Sequence, residues 1–142
     1  MPRPDFPPWV AAYVGLPYVP GGKSREGADC WGLVSLIHEA ELQKPLPPYE
    51  GPLFTSGCDR ASLGEAAHAY SKRFPEVQQG AETLGDVILL RSGRHAFHCG
   101  LILSPGWMLH SEEKANGACV ETYEGLVWSK RIISIHRYDP CA

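Results

Sequence analysis

Hydrophobic and polar positions divide the chain into a helical first half and a strand-rich second half. From Asp5 to Val14 a short opening helix is expected: Asp5 can cap it, Pro7 and Pro8 suit a first turn, and Gly15 suits the stop. The Pro- and Gly-rich stretch from Leu16 to Ala28 reads as irregular. Asp29 then caps a second helix, with Leu33, Val34, Ile37 and Ala40 at helical spacing and prolines at 45, 47 and 48 beyond its end. Pro45 to Gly57 reads as a loop. A third helix is expected from Ser62, which stands at capping-box spacing from Glu65, with Leu63, Ala66, Ala67 and Tyr70 on its apolar face.

After Gly80 the period changes to that of strands. Asp86–Arg91, Cys99–Leu103, Trp107–Ser111, Cys119–Tyr123 and Ile132–Tyr138 are the candidates, with a Ser104-Pro-Gly turn between the second and third. Helices followed by a run of short strands imply an α+β domain on an antiparallel sheet of about five strands. No linker or repeat interrupts it, so residues 1–142 read as one domain.

Composition narrows the function classes. A formal net charge of −3 gives nucleic acid no basic surface to bind. The sequence has no apolar run long enough for a membrane span, and its first residues lack the apolar core of a secretory signal, so synthesis in the cytoplasm is expected. The five cysteines, Cys30, Cys58, Cys99, Cys119 and Cys141, are odd in number and form no C-x-x-C pair. That pattern favours reduced thiols over a disulfide framework or a structural zinc site.

One of those thiols is placed for chemistry. Cys30 directly follows the cap Asp29, so it falls in the first helical turn, where unpaired N–H groups favour an anion. This is the field a nucleophilic thiolate needs. For a lone cysteine at a helix start, burial as a small apolar residue is the commoner explanation, so the histidines decide.

A cysteine nucleophile needs a base and a group to orient it. His98 opens one expected strand and His110 closes the next, twelve positions on. Across a hairpin the two rings can share a face, with His98 as base and His110 holding its tautomer. Without further context a pair of polar residues at sheet edges fits equally. His38, His68 and His136 read as structural or surface residues, His38 facing solvent or Leu42, and His95 less firmly so. A zinc site from His95, His98 and Cys99 is disfavoured, because neighbours in a strand point to opposite faces.

Taken in order, these pieces form a recognisable pattern. Gly-Leu-Pro-Tyr18-Val-Pro-Gly-Gly22 and Ala-Asp29-Cys30-Trp-Gly32-Leu-Val34 resemble the nucleophile segment of the NlpC family of cell-wall cysteine peptidases. Gly85-Asp86-Val-Ile-Leu-Leu is similar to the strand before that family's histidine. His98-Cys-Gly100-Leu-Ile-Leu with Trp-Met-Leu-His110 looks like its histidine segment and third polar residue. The resemblance implies a papain-like fold, with the nucleophile helix packed on the sheet. It also implies hydrolysis of peptidoglycan stem peptides, often at D-glutamyl–diaminopimelate linkages, without metal or organic cofactor. Tyr18 matches a tyrosine near the nucleophile and is carried over as an oxyanion or substrate contact. Trp31 stands where many secreted members have a small residue. The Cys-Trp-Gly-Leu-Val form is more like members encoded by phages and gene-transfer agents. By that analogy tail proteins of a phage-like particle would be partners, and the particle tail the location. A catalytically silent tail component, or an amidase or transpeptidase acting on a non-wall amide, are the alternatives.

Overall fold

A computed structural model describes residues 3–47, 74–91 and 98–140. The expected third helix from Ser62, most of the Pro45–Gly57 loop, and His68, His95, Cys58 and Cys141 lie outside these residues. The opening helix is shorter than expected. α1 spans Val10–Tyr13, and its N-cap is Trp9, which makes no side-chain cap bond, so Asp5 does not cap it. Pro7 and Pro8 stay outside it: the Pro7 carbonyl accepts from Val10 N–H at 3.0 Å, and regular helix begins only there.

A two-stranded hairpin follows, β1 (Lys23–Ser24) and β2 (Gly27–Ala28). It leads directly into α2, Cys30–Ala40. Six further strands form one antiparallel sheet. They are β3 (Glu76–Val77), β4 (Val87–Leu90), β5 (His98–Ser104), β6 (Trp107–Glu112), β7 (Gly117–Thr122) and β8 (Ile132–His136). Their order is β3-β8-β4-β5-β6-β7, with every neighbouring pair antiparallel. The α+β class holds. The five expected strands are β4 to β8 with slightly shifted ends, and the sheet gains β3, whose two residues are too short to show a period. The β5–β6 turn is Pro105-Gly106. Gly106 has φ +92°, as the third position of a proline-led type II turn requires.

Both faces of the sheet are covered, which explains the unbroken apolar run Val87–Leu90. On one face Val87, Cys99, Leu101, Leu103 and Leu109 pack with Leu33, Val34 and Ile37 of α2. On the other, Ile88, Leu90, Ile102 and Met108 pack with Tyr123, Trp128 and Ile135. His38 takes the structural one of its two expected readings, on the side of Leu42. It is buried, with its Nδ1 2.9 Å from the Val34 carbonyl, because α2 turns this position against the loop before β4 rather than to solvent. Burial lowers its pKa. Among the described residues, no helix is long and apolar enough to cross a membrane.

The second core layer contains a buried polar link. Tyr123 donates its hydroxyl to Glu82 Oε2 and accepts from Gly106 N–H at 2.8 Å, tying the β5–β6 turn to the loop before β4. Burial opposes charge on Glu82. Its hydrogen bonds from Tyr123 and from backbone N–H groups outweigh burial and hold the carboxyl below its ordinary 4.5. A depressed carboxylate contributes stability above its unfolded value, and that contribution is lost as pH falls through the folded value. Tyr123→Phe is therefore expected to cost about 1–3 kcal/mol at neutral pH. The gap to wild type should shrink on acidification below 4.5, as chemical denaturation at several pH values would show.

Candidate functional site

The site is built around the head of α2. Asp29, in extended conformation, accepts from Gly32 N–H at 2.7 Å through Oδ1 and from Gly21 N–H at 2.9 Å through Oδ2. One carboxylate thus caps the helix and fastens the glycine-rich loop to it. Cys30 is the first helical residue and is 2% exposed. It carries a free thiol, as do Cys99 and Cys119. Gly32 fills a position no side chain could share: a Cβ there would lie 1.8 Å from the Gly22 carbonyl oxygen.

Tyr18 stands beside this helix start. Pro17 and Val19 on either side of it bond the backbone of Ala28, at 2.9 and 3.4 Å. Its hydroxyl is buried. Burial first, then the nearby Cys30, Asp29, Glu113 and Cys99, push the phenol pKa up, so the hydroxyl keeps its proton and remains a donor.

The two histidines are brought together as expected, with one difference of register. Leu101 pairs with Leu109, and the next step outward sets His110 opposite Gly100 rather than opposite His98. The rings meet on the diagonal across Gly100, where a Cβ would stand 3.2 Å from that of His110. His98 Nε2 and His110 Nδ1 are 2.7 Å apart, and both residues are fully buried. Trp128 stacks on His98, with centroids 5.5 Å apart and planes at 18°, and stands perpendicular to His110, with centroids 5.6 Å apart. Strand alternation turns Cys99, the residue after His98, toward α2, where it packs in the same core cluster as Cys30. Burial, then the neighbouring Cys30 thiol and the Asp29 charge, push the Cys99 thiol well up.

A third member of the chain was not foreseen from sequence. His110 Nε2 lies 2.9 Å from Glu121 Oε1 and 3.6 Å from Cys119 Sγ. Cys119 pairs directly with His110 across β6 and β7, and Glu121 is two residues on, on the same face. The alternation Cys119-x-Glu121 in an expected strand was the available signal; the pairing of that strand with the His110 strand was not. Burial works to lower the His110 pKa, but hydrogen bonds to Cys119 and Glu121 and their charge outweigh it and hold the ring at about 9. The His110 contact in turn depresses the Glu121 carboxyl. The 2.7 Å contact takes one hydrogen, which either ring can carry. The arrangement can hold an imidazolium at His98, with Nε2–H donated to His110 Nδ1 and His110 Nε2–H donated to Glu121.

Ser111 joins the two halves. Its hydroxyl donates to the Ala28 carbonyl at 2.7 Å, from the residue after His110 to the residue two before Cys30.

Known proteins share this architecture. Residues 15–137 match the NlpC/P60 family. A Haemophilus influenzae protein named "Probable endopeptidase" is 26% identical over 127 residues, covering 88% of this chain and 68% of that protein. An NlpC/P60 family protein from Bacillus cereus superposes with a TM-score of 0.67 at 21% identity, over 92% of this chain and 38% of its own. The peptidoglycan hydrolase RipB of Mycobacterium tuberculosis gives a TM-score of 0.59 at 20% identity, over 90% and 60%. This chain therefore spans less than two thirds of either solved structure, and at these identities the likeness is one of fold. The family match covers most of the sequence, from the loop carrying Tyr18 through the last strand, and the chain belongs to the NlpC/P60 family.

Proposed function

We propose that residues 1–142 act as one cysteine peptidase domain that hydrolyses amide bonds in peptidoglycan stem peptides, the D-glutamyl–diaminopimelate linkage being its bond. The observation that carries this reading is the His98–His110–Glu121 chain, with both imidazoles buried, at the end of the sheet where Cys99 packs against the cysteine heading α2. The name of RipB, a peptidoglycan hydrolase with this fold, supports the substrate class.

In the reaction, the Cys30 thiolate attacks the scissile carbonyl and a C–S bond forms. The oxyanion is received by the Cys30 N–H and the Tyr18 hydroxyl. The imidazolium of His98 gives its Nδ1 proton to the leaving amine as the C–N bond breaks. Water then delivers a proton to the same nitrogen and attacks the thioester as the C–S bond breaks, returning thiolate, imidazolium and a carboxylic acid that releases its proton to solvent. His110 and Glu121 fix the tautomer of His98 from its Nε2 side, so that the proton it exchanges is the one on Nδ1. Cys119 takes no part in these steps. Trp31, in the Cys-Trp-Gly-Leu-Val form of tail-encoded relatives, supports delivery by a phage-like tail, whose proteins would be the partners.

The test is digestion of purified peptidoglycan from several bacteria, with products identified by mass spectrometry. Fragments bearing a new diaminopimelate amino group are expected; no soluble product from any wall type would overturn the reading. The orienting chain has its own signature. His110→Ala is expected to lower kcat about 10²-fold at unchanged KM, less than the full general acid–base contribution lost with His98. Glu121→Gln keeps an acceptor oxygen and should cost only about tenfold. Steady-state kinetics on a defined muropeptide would check both.

A further inference from the structure

We propose that His110, Cys119 and Glu121 form a zinc site that, when filled, shuts the enzyme off. Three donors of different chemistry converge from two adjacent strands: His110 Nε2, Cys119 Sγ and a Glu121 carboxylate oxygen, all within 4.8 Å of one another. An imidazole, a thiolate and a carboxylate suit a borderline-soft ion such as Zn²⁺ rather than Mg²⁺ or Ca²⁺.

The spacing fits as well. Tetrahedral zinc with bonds of about 2.0–2.3 Å holds nitrogen and sulfur donors about 3.6 Å apart and nitrogen and oxygen donors about 3.3 Å apart. The corresponding distances here are 3.6 Å and 2.9 Å. Glu121 must shift by a few tenths of an ångström relative to His110, and its side chain is 36% exposed and can do so. That exposure, with a half-buried Cys119, gives an ion a path from solvent. The His110 ring is already held for ligation by the contact of its other nitrogen with His98 Nε2 and by the perpendicular ring of Trp128. Water completes the fourth position.

Filling this site reverses the hydrogen-bond chain. The metal takes the Nε2 lone pair of His110, so the proton there leaves to solvent, as does the Cys119 thiol proton. A neutral ring ligated through Nε2 carries its hydrogen on Nδ1. The proton between the two imidazoles therefore moves from His98 Nε2 to His110 Nδ1. His98 is left neutral, with its one hydrogen on Nδ1 and its lone pair turned toward His110. It can neither accept a proton from the sulfur nor hold the imidazolium. Binding is independent of the proposed reaction; only the inhibition rests on it.

Cobalt(II) is the probe, titrated into full-length Cys30→Ala so that the nucleophile cannot contribute. Thiolate-to-cobalt charge transfer and tetrahedral ligand-field bands are expected at one ion per chain, displaced by Zn²⁺. Cys119→Ser in that background should remove the charge-transfer band. It should also weaken binding by more than the roughly 10- to 100-fold typical of losing an outer-shell partner. On the otherwise unaltered protein, Zn²⁺ should inhibit hydrolysis reversibly to chelator, and Cys119→Ser, each rate being taken relative to the same variant without zinc, should escape inhibition. A cobalt spectrum unchanged by Cys119→Ser, absence of saturable binding, or equal zinc inhibition of Cys119→Ser would each overturn the site. An enzyme inactive on every wall substrate would refute the proposed function while leaving the cobalt result to stand or fall alone.

Discussion

Cys30→Ala is expected to bring stem-peptide hydrolysis down by about 10⁵-fold or more. The size follows from the absence of a substitute. Cys99 packs with Cys30 in the same core cluster, but burial and its neighbours push its thiol well up, so it remains protonated and weakly nucleophilic. The substitution keeps the Cβ and removes one sulfur at the first position of α2, while the Asp29 cap contacts run to Gly32 and Gly21. Thermal unfolding should therefore stay within about 2 °C of wild type, since a shift that small corresponds to under about 1 kcal/mol. Undiminished turnover in a folded variant would remove the sulfur from the mechanism.

The second large effect is structural. Gly32→Ala is expected to destabilise the protein by about 3 kcal/mol or more, a drop of roughly 10 °C in Tm. The added carbon would sit 1.8 Å from the Gly22 carbonyl oxygen and 2.9 Å from Asp29 Oδ1. Neither is the yielding end of a flexible side chain: one is backbone, the other the atom that caps the helix. Relief requires moving the glycine loop off α2, which breaks the cap and shifts the cysteine it positions. Calorimetry would check the loss of stability. A variant as stable as wild type would mean that Gly22 and Gly32 do not pack as described.

What could be read in the residues follows from how local the signals are. The cap at Asp29, the apolar stripe Leu33–Val34–Ile37 and the strands β4 to β8 each lie within a short window, so period and capping chemistry identify them. His98 and His110 were linked by a short hairpin, which made their meeting legible. The opening helix was over-extended because Pro7 and Pro8 fit a first turn by type, yet the regular bonds start only at Val10. Glu121 and Trp128 were invisible as site members for another reason. Their roles depend on β7 lying beside β6 and on the chain after β7 returning across the sheet, which no local pattern encodes. For His38 both burial and exposure stayed open, because periodicity does not report what packs on the far side of a helix.

The Ser111 hydroxyl bond to Ala28 reaches further than its single contact. Apolar layers between a helix and a sheet tolerate sliding, since one methyl neighbour is nearly as good as the next. A directed polar clasp does not, because displacement by an ångström forfeits it. Its anchors lie one residue from His110 and two from Cys30, so the clasp sets a common origin from which both reacting segments are measured. Sliding the start of α2 along β6 must break this bond first, so that motion carries a polar cost beyond any loss of apolar contact.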